Sequence, residues 1–114
     1  MPKTFFRDGS TFRPIAVGYG SCIATDRITV DGAQVGYLYR ETPDHPVDSG
    51  WCFFAGDESD EYINDPNNSG LYDVNTIANY DPLITSCLEA PCGSAFLRIE
   101  GKFVRQKFEP PDDD

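Results

Sequence analysis

Residues 50–56 read GWCFFAG, a run without a single charge, and it narrows the folds open to this chain more than any other stretch. As a strand it sets Trp51, Phe53 and Ala55 against Cys52 and Phe54, with apolar side chains on both faces. Such a strand belongs in the middle of a sheet with helices packed on one side. Its neighbours supply the remaining elements. Residues 27–30 and 33–40 flank Asp31-Gly32, the dipeptide that suits a type I′ hairpin turn. In the second arm Val35, Tyr37 and Tyr39 alternate against Gly36, Leu38 and Arg40. A second hairpin is expected from 94–99 and 102–107 around Glu100-Gly101, and a short one from 5–7 and 11–13 around Asp8-Gly9-Ser10. Residues 15–25 read as extended chain with a bulge or bend at Gly18 and Gly20.

Two helices complete the set. Asp57 offers an N-cap carboxylate, and Asp60 and Glu61 suit the positive end of the helix that follows. The breakers in DPNNSG, residues 65–70, keep that helix short. Residues 71–80 fit either a strand or a helix, with a strand preferred over the first half. Asp81-Pro82 starts a second helix that places Leu83, Ile84, Cys87 and Leu88 on one face, before Ala90-Pro91 stops it. The fold class expected is α+β: a mostly antiparallel sheet of about five to seven strands with two short helices on one face. Residues 1–109 form a single domain in this reading, and 110–114 (PPDDD) a disordered acidic tail. Leu, Ile, Val and Phe make up 26 of the 114 residues, enough for a chain of this charge to bury a core.

Charge narrows the function classes. The net charge is −10, and the 57 residues from 41 to 97 hold 11 carboxylates and no Lys or Arg. The densest part is Asp57, Glu58, Asp60, Glu61 and Asp65. An acidic chain of this kind does not suit nucleic acid or anionic lipid. No apolar run approaches the roughly 18 residues of a membrane span, and the N-terminal MPKTFFRDGSTFRP lacks the apolar region of a signal peptide. Cytoplasmic residence is the expectation. The acidic middle reads either as a solvated face or as a docking surface for a basic partner. Interleaved Trp51, Tyr62, Tyr72 and Tyr80 favour the second, since aromatic side chains anchor interfaces. On that reading the partner-binding residues are Trp51, Asp57, Glu58, Asp60, Glu61, Tyr62 and Asp65.

Catalysis finds no footing in these residues. His45 lies between Pro43 and Pro46 in a loop, with no nucleophile placed for it by the sequence. Of the four cysteines only Cys87-x₄-Cys92 touches a zinc-ligand spacing, and Cys87 falls on an apolar helix face. Three buried thiols plus Cys92 are expected, with no disulfide. Residues 57–68 lack the glycine of a calcium loop, and Gly18-Tyr-Gly20 lacks the rest of a nucleotide-binding fingerprint. The expectation is no enzyme, no metal and no cofactor.

Three segments, SCIATDRITVDGAQVGYLYRE, DSGWCFFAGDESDEYINDPNNSGLYDVNTIANYDP and APCGSAF, resemble the immunity protein 33-like domains of bacteria, from Ser21 to Phe96. The resemblance implies a small cytoplasmic protein that binds and neutralises a toxin of a polymorphic-toxin system, without catalytic residues. It sets Trp51, Asp57, Glu58, Asp60, Glu61, Tyr62, Asp73, Asn75, Thr76, Asn79 and Asp81 inside the family's motifs. Those residues have two roles open to them, toxin contact or construction of the domain; Asp57, Asn75 and Asp81 suit caps and turns. Cys52, Cys87, Cys92 and the DDD tail depart from the family pattern. The function expected is a cytoplasmic immunity protein that occludes a basic toxin one-to-one through its acidic surface. The alternative is a non-catalytic regulatory or small-ligand module with its pocket between sheet and helices.

Overall fold

The doubly apolar run forms the heart of β3 (Asp48–Phe54), where the five residues from Ser49 to Phe53 are all buried. The computed structural model describes residues 5–6, 12–42 and 48–106. His45, residues 110–114 and most of the hairpin expected at 5–7 and 11–13 lie outside them.

Five further strands join β3: β1 (Ser21–Thr25), β2 (Tyr37–Arg40), β4 (Ser69–Asp73), β5 (Ala95–Ile99) and β6 (Lys102–Gln106). They form one six-stranded sheet in the order β4-β1-β3-β2-β5-β6. Every neighbouring pair is antiparallel except β1 with β3, which run parallel with a bulge between Ser21 and Ile23. The fold is α+β, and β3 sits inside the sheet.

Three α-helices are described: α1 (Asp26–Thr29), α2 (Asp60–Asn64) and α3 (Val74–Tyr80), with 3-10 turns at Pro66–Asn68 and Pro82–Ser86. Ile28 of α1, Val74 and Ile77 of α3 and Ile84 of the second 3-10 turn are fully buried against Ala24, Leu38, Trp51 and Phe53 of the sheet. All of these side chains belong to one core on one face. The interval between sheet and helices, where a ligand module would keep its pocket, is this packed core. Helix α2 buries none of its residues.

The Asp31-Gly32 hairpin does not form. Residues 26–29 are helical, and Gly32 (φ 79°) ends the helix, its N–H donating to the Ile28 carbonyl and that of Ala33 to the Arg27 carbonyl. A type I′ turn needs positive φ at both central residues, and Asp31 does not have it. Glu100-Gly101 does, at φ 51° and 79°, and there the expected hairpin of β5 and β6 is present. A left-handed glycine serves both motifs, so the dipeptide alone cannot distinguish them. β2 is a strand, as read, but it pairs with β3 and β5.

Residues 71–80 divide as preferred, strand first, then the helix α3. Asp81 caps the turn that follows by accepting from the Leu83 N–H at 3.3 Å, and Pro82 takes its first position. That turn is 3-10 rather than α, and Leu83 is exposed while Ile84, Cys87 and Leu88 are buried.

All four cysteines are free, with Cys22, Cys52 and Cys87 buried and Cys92 exposed. Burial raises the Cys22 and Cys87 thiols above the ordinary range and pushes Cys52 up to about 12. Only thiolates react readily. Under native conditions an alkylating reagent is therefore expected to modify Cys92 alone, and the other three only after unfolding. Mass spectrometry of intact protein reads the result, and native labelling of Cys52 at comparable rate would contradict the placement of β3.

Candidate functional site

The acidic segment starts where β3 ends, and its first two carboxylates turn back onto the fold. Asp57 receives a two-point contact from Arg27 of α1, Nε to Oδ1 at 3.1 Å and Nη2 to Oδ2 at 2.7 Å. That hydrogen bonding holds the Asp57 carboxyl below its usual range. Asp57 therefore does not cap α2, as the sequence suggested; Ser59 does, its Oγ accepting from the Tyr62 N–H at 3.1 Å. Serine one residue before the acidic pair Asp60-Glu61 is as good a cap as aspartate and stands closer to the first turn.

Glu58 is a turn anchor. Its Oε2 accepts from the Ala55 N–H at 2.7 Å and from Thr25 Oγ1 at 2.5 Å, and its Oε1 from the Gly56 N–H at 2.8 Å. It satisfies two backbone donors left free where β3 stops, and ties them to the end of β1. Asp65 caps the 3-10 turn through the Asn67 N–H at 2.9 Å. Tyr62 is half-buried, and its carbonyl accepts from Asn68 Nδ2 at 3.1 Å. Asp60 and Glu61 remain. Both are exposed, at the positive end of α2, with no side-chain hydrogen bond or ion pair among the described residues.

Trp51 is not on this surface. It is fully buried on the helix-covered face, 6.2 Å from the Phe53 ring and 6.5 Å from Phe96, with the Arg40 guanidinium 5.7 Å from its ring centroid. The register explains this: Arg40 pairs with Trp51 and Leu38 with Phe53, so both aromatic rings follow Leu38 into the core. The other motif residues are mostly builders. Asn75 Oδ1 accepts from the N–H groups of Ile15 and Ala16, at 2.7 and 2.8 Å. Asn79 exchanges two hydrogen bonds with the Arg13 backbone, both 2.8 Å. Asp73 caps α3 through the Asn75 N–H at 2.8 Å.

The opposite face of the sheet is a different surface, and sequence reasoning overlooked it. Pairing places Leu71, Ile23, Cys52, Tyr39 and Ala95 in one row across five strands. Phe54, Tyr37, Leu97 and Val104 form the next row. None of these side chains belongs to the core beneath the helices. Tyr37, Tyr39 and Phe54 pack together, with ring centroids 5.6–6.0 Å apart. Leu71 is 74% exposed, while Ile23, Leu97, Ile99 and Val104 lie between 36% and 44%. At one end of the rows stand three carboxylates, Asp73 on β4, Asp48 on β3 and Glu41 just past β2. No ion pair forms to any of the three among the described residues. The signal was present in Tyr37, Tyr39 and Phe54, aromatic residues on the face of β2 and β3 away from Leu38 and Phe53.

What this arrangement offers is recognition: one apolar sheet face, one acidic end, and a separate exposed pair at Asp60 and Glu61. Among the described residues there is no cluster of His, Cys, Asp and Glu that would hold a metal ion, and no helix long and apolar enough to cross a membrane. The family model described as the Immunity protein Imm33 domain matches residues 22–107. Neither a curated protein nor a solved structure matches the chain.

Proposed function

Because the chain belongs to the Imm33 family of immunity protein domains, we propose that it neutralises a bacterial toxin by binding it one-to-one and occluding its working surface. Family membership over most of the chain is the observation that carries this reading. The protein acts in the cytoplasm, on a basic toxin domain, and performs no chemistry of its own. A net charge of −10, carried almost wholly by the middle of the chain, supports a cationic partner and opposes binding to nucleic acid or anionic membranes.

Of the acidic residues from 57 to 65, Asp60 and Glu61 keep their charge free for a partner, and Tyr62 stands beside them. Asp57, Glu58 and Asp65 contribute to the local potential while their side chains hold the turn. Charge of this kind speeds encounter more than it slows release. Asp60→Lys with Glu61→Lys is expected to lower the association rate with the toxin several-fold at low salt. The difference should close as ionic strength rises past about 0.15 M, where charges are screened beyond roughly 8 Å. Stopped-flow or biosensor kinetics measure this, and an unchanged rate at low salt discards the electrostatic part.

The function itself is tested by growth. Cells expressing the toxin domain encoded beside this gene should survive when the full chain is co-expressed and die without it. Death in both conditions rejects neutralisation.

A further inference from the structure

Helix α2 has five residues and buries none of them. Isolated helices shorter than about 12–15 residues are marginal in water, so α2 needs support from outside itself to keep one shape. Its ends supply part of that support. Ser59 Oγ accepts from the Tyr62 N–H, and the Tyr62 carbonyl accepts from Asn68 Nδ2, each at 3.1 Å. Two side-chain links join the segment to earlier elements. Glu58 reaches Thr25 at the end of β1, but it also holds the backbone donors of Ala55 and Gly56 and so belongs to the construction of the sheet. The link between Arg27 and Asp57 joins side chain to side chain, so its effect falls on how the segment lies.

Arg27 is built to hold that link. It stands on α1 beside Ile28 and Thr29, both fully buried, so its backbone moves with the core. Its Nε and Nη2 meet the two oxygens of Asp57, and its Nη1 meets Asp31 Oδ2 at 3.2 Å, four residues along the chain. A guanidinium bonded at three points to two carboxylates is fixed in direction as well as in charge. Tyr62 of α2 lies in the same neighbourhood: partial burial, then the charges of Asp26 and Asp31, raise its hydroxyl above the ordinary range. We propose that Arg27 is a positioning residue, a clamp that fixes α2 relative to α1 so that Asp60 and Glu61 meet the toxin in a preformed arrangement. The inference rests on the neutralisation reading, in which that pair faces a basic toxin, and adds the residue that orders it. A segment ordered beforehand loses less freedom when the complex forms, which strengthens binding without any new contact.

The test uses the full chain and the toxin domain encoded beside its gene. In the free protein, Arg27→Gln should speed amide hydrogen exchange in residues 60–64 by roughly two- to fivefold, the worth of an exposed ion pair, and leave the amides of β3 unchanged. Asp57→Asn should do the same, and the two together no more than either alone. In biosensor kinetics Arg27→Gln should raise both rate constants. Association quickens at low salt, because the change removes a positive charge from a chain of net charge −10 and frees two carboxylates. Dissociation quickens by a factor similar to that of the exchange, because α2 is no longer held. Arg27→Lys keeps the charge but not the two-point contact, so association should return to the wild-type rate while dissociation stays fast. A role confined to fold stability would not divide the two rates in this way.

Unchanged exchange in residues 60–64 of Arg27→Gln overturns the inference, as does faster exchange with an unchanged dissociation rate. If Asp60→Lys with Glu61→Lys still slows association in either case, neutralisation through α2 stands and the clamp alone is refuted. Slower association of Arg27→Gln at low salt would make Arg27 a contact for the toxin rather than a support, and also overturns the inference. A wild-type chain that forms no complex refutes neutralisation, and the inference with it.

Discussion

Asp81→Ala is expected to cost about 3–5 kcal/mol, as does removal of one partner from a buried ion pair. Asp81 Oδ2 accepts from Arg98 Nη1 at 2.6 Å and from the Val35 N–H at 2.9 Å, while its Oδ1 caps the Pro82 turn. The side chains are 7% and 15% exposed, so water replaces little of what is lost. Arg98 keeps the Val35 carbonyl and the Phe103 ring, 5.2 Å from its guanidinium carbon, but not a counter-charge. One carboxylate thus joins the end of α3, the segment before β2, and β5. Against a total stability of roughly 5–15 kcal/mol, the loss should lower the melting temperature by roughly 15–25 °C. Adding Arg98→Met removes the orphaned charge and should restore part of the stability. Additive losses in the double variant would show that the two groups do not act as a pair.

Phe53→Ala is expected to cost a similar amount, about 3–5 kcal/mol, through lost burial and the cavity left behind. Phe53 is fully buried in the central strand, between Ala24 on β1 and Leu38 on β2, and stacks on Trp51. Phe54, its neighbour in sequence, is only half-buried and lies on the sheet face opposite the helices, packed with Tyr37 and Tyr39. Phe54→Ala should cost less than half as much. Chemical denaturation of the two variants compares the faces directly, and equal losses would mean that both faces are packed to the same degree.

That contrast also shows where the sequence was readable. A run apolar on both faces identified β3 as an interior strand, because such a strand is stable only with neighbours on either side. Glu100-Gly101 and Asp81-Pro82 were legible because their local chemistry has few alternatives in context. Asp31-Gly32 was not, since a left-handed glycine ends a helix as readily as it turns a hairpin. The parallel pairing of β1 with β3 left no local trace; it depends on where the chain returns after β2. Trp51 misled for a related reason. Large aromatic side chains anchor interfaces and cores alike, and only register shows that Trp51 follows Phe53 inward. The acidic run was visible as charge, but not as geometry. Nothing in the order of Asp57, Glu58, Ser59 and Asp60 tells which side chains satisfy backbone donors and which stay free. Most of the residues that the resemblance set inside the family's motifs serve in this fold as caps, turns and clamps. The apolar sheet face escaped notice because its residues are scattered across β2, β3, β5 and β6 and converge only through pairing.

An activity titration tests the claim of one-to-one occlusion most directly. The purified toxin domain, held well above the dissociation constant, is mixed with increasing amounts of the full chain, and its remaining activity is measured. Activity should fall linearly and reach zero at one chain per toxin, with intact toxin recovered on separation. Complete inactivation at a small fraction of an equivalent, or a toxin found covalently altered afterwards, would show that the chain acts as an enzyme and contradict the account.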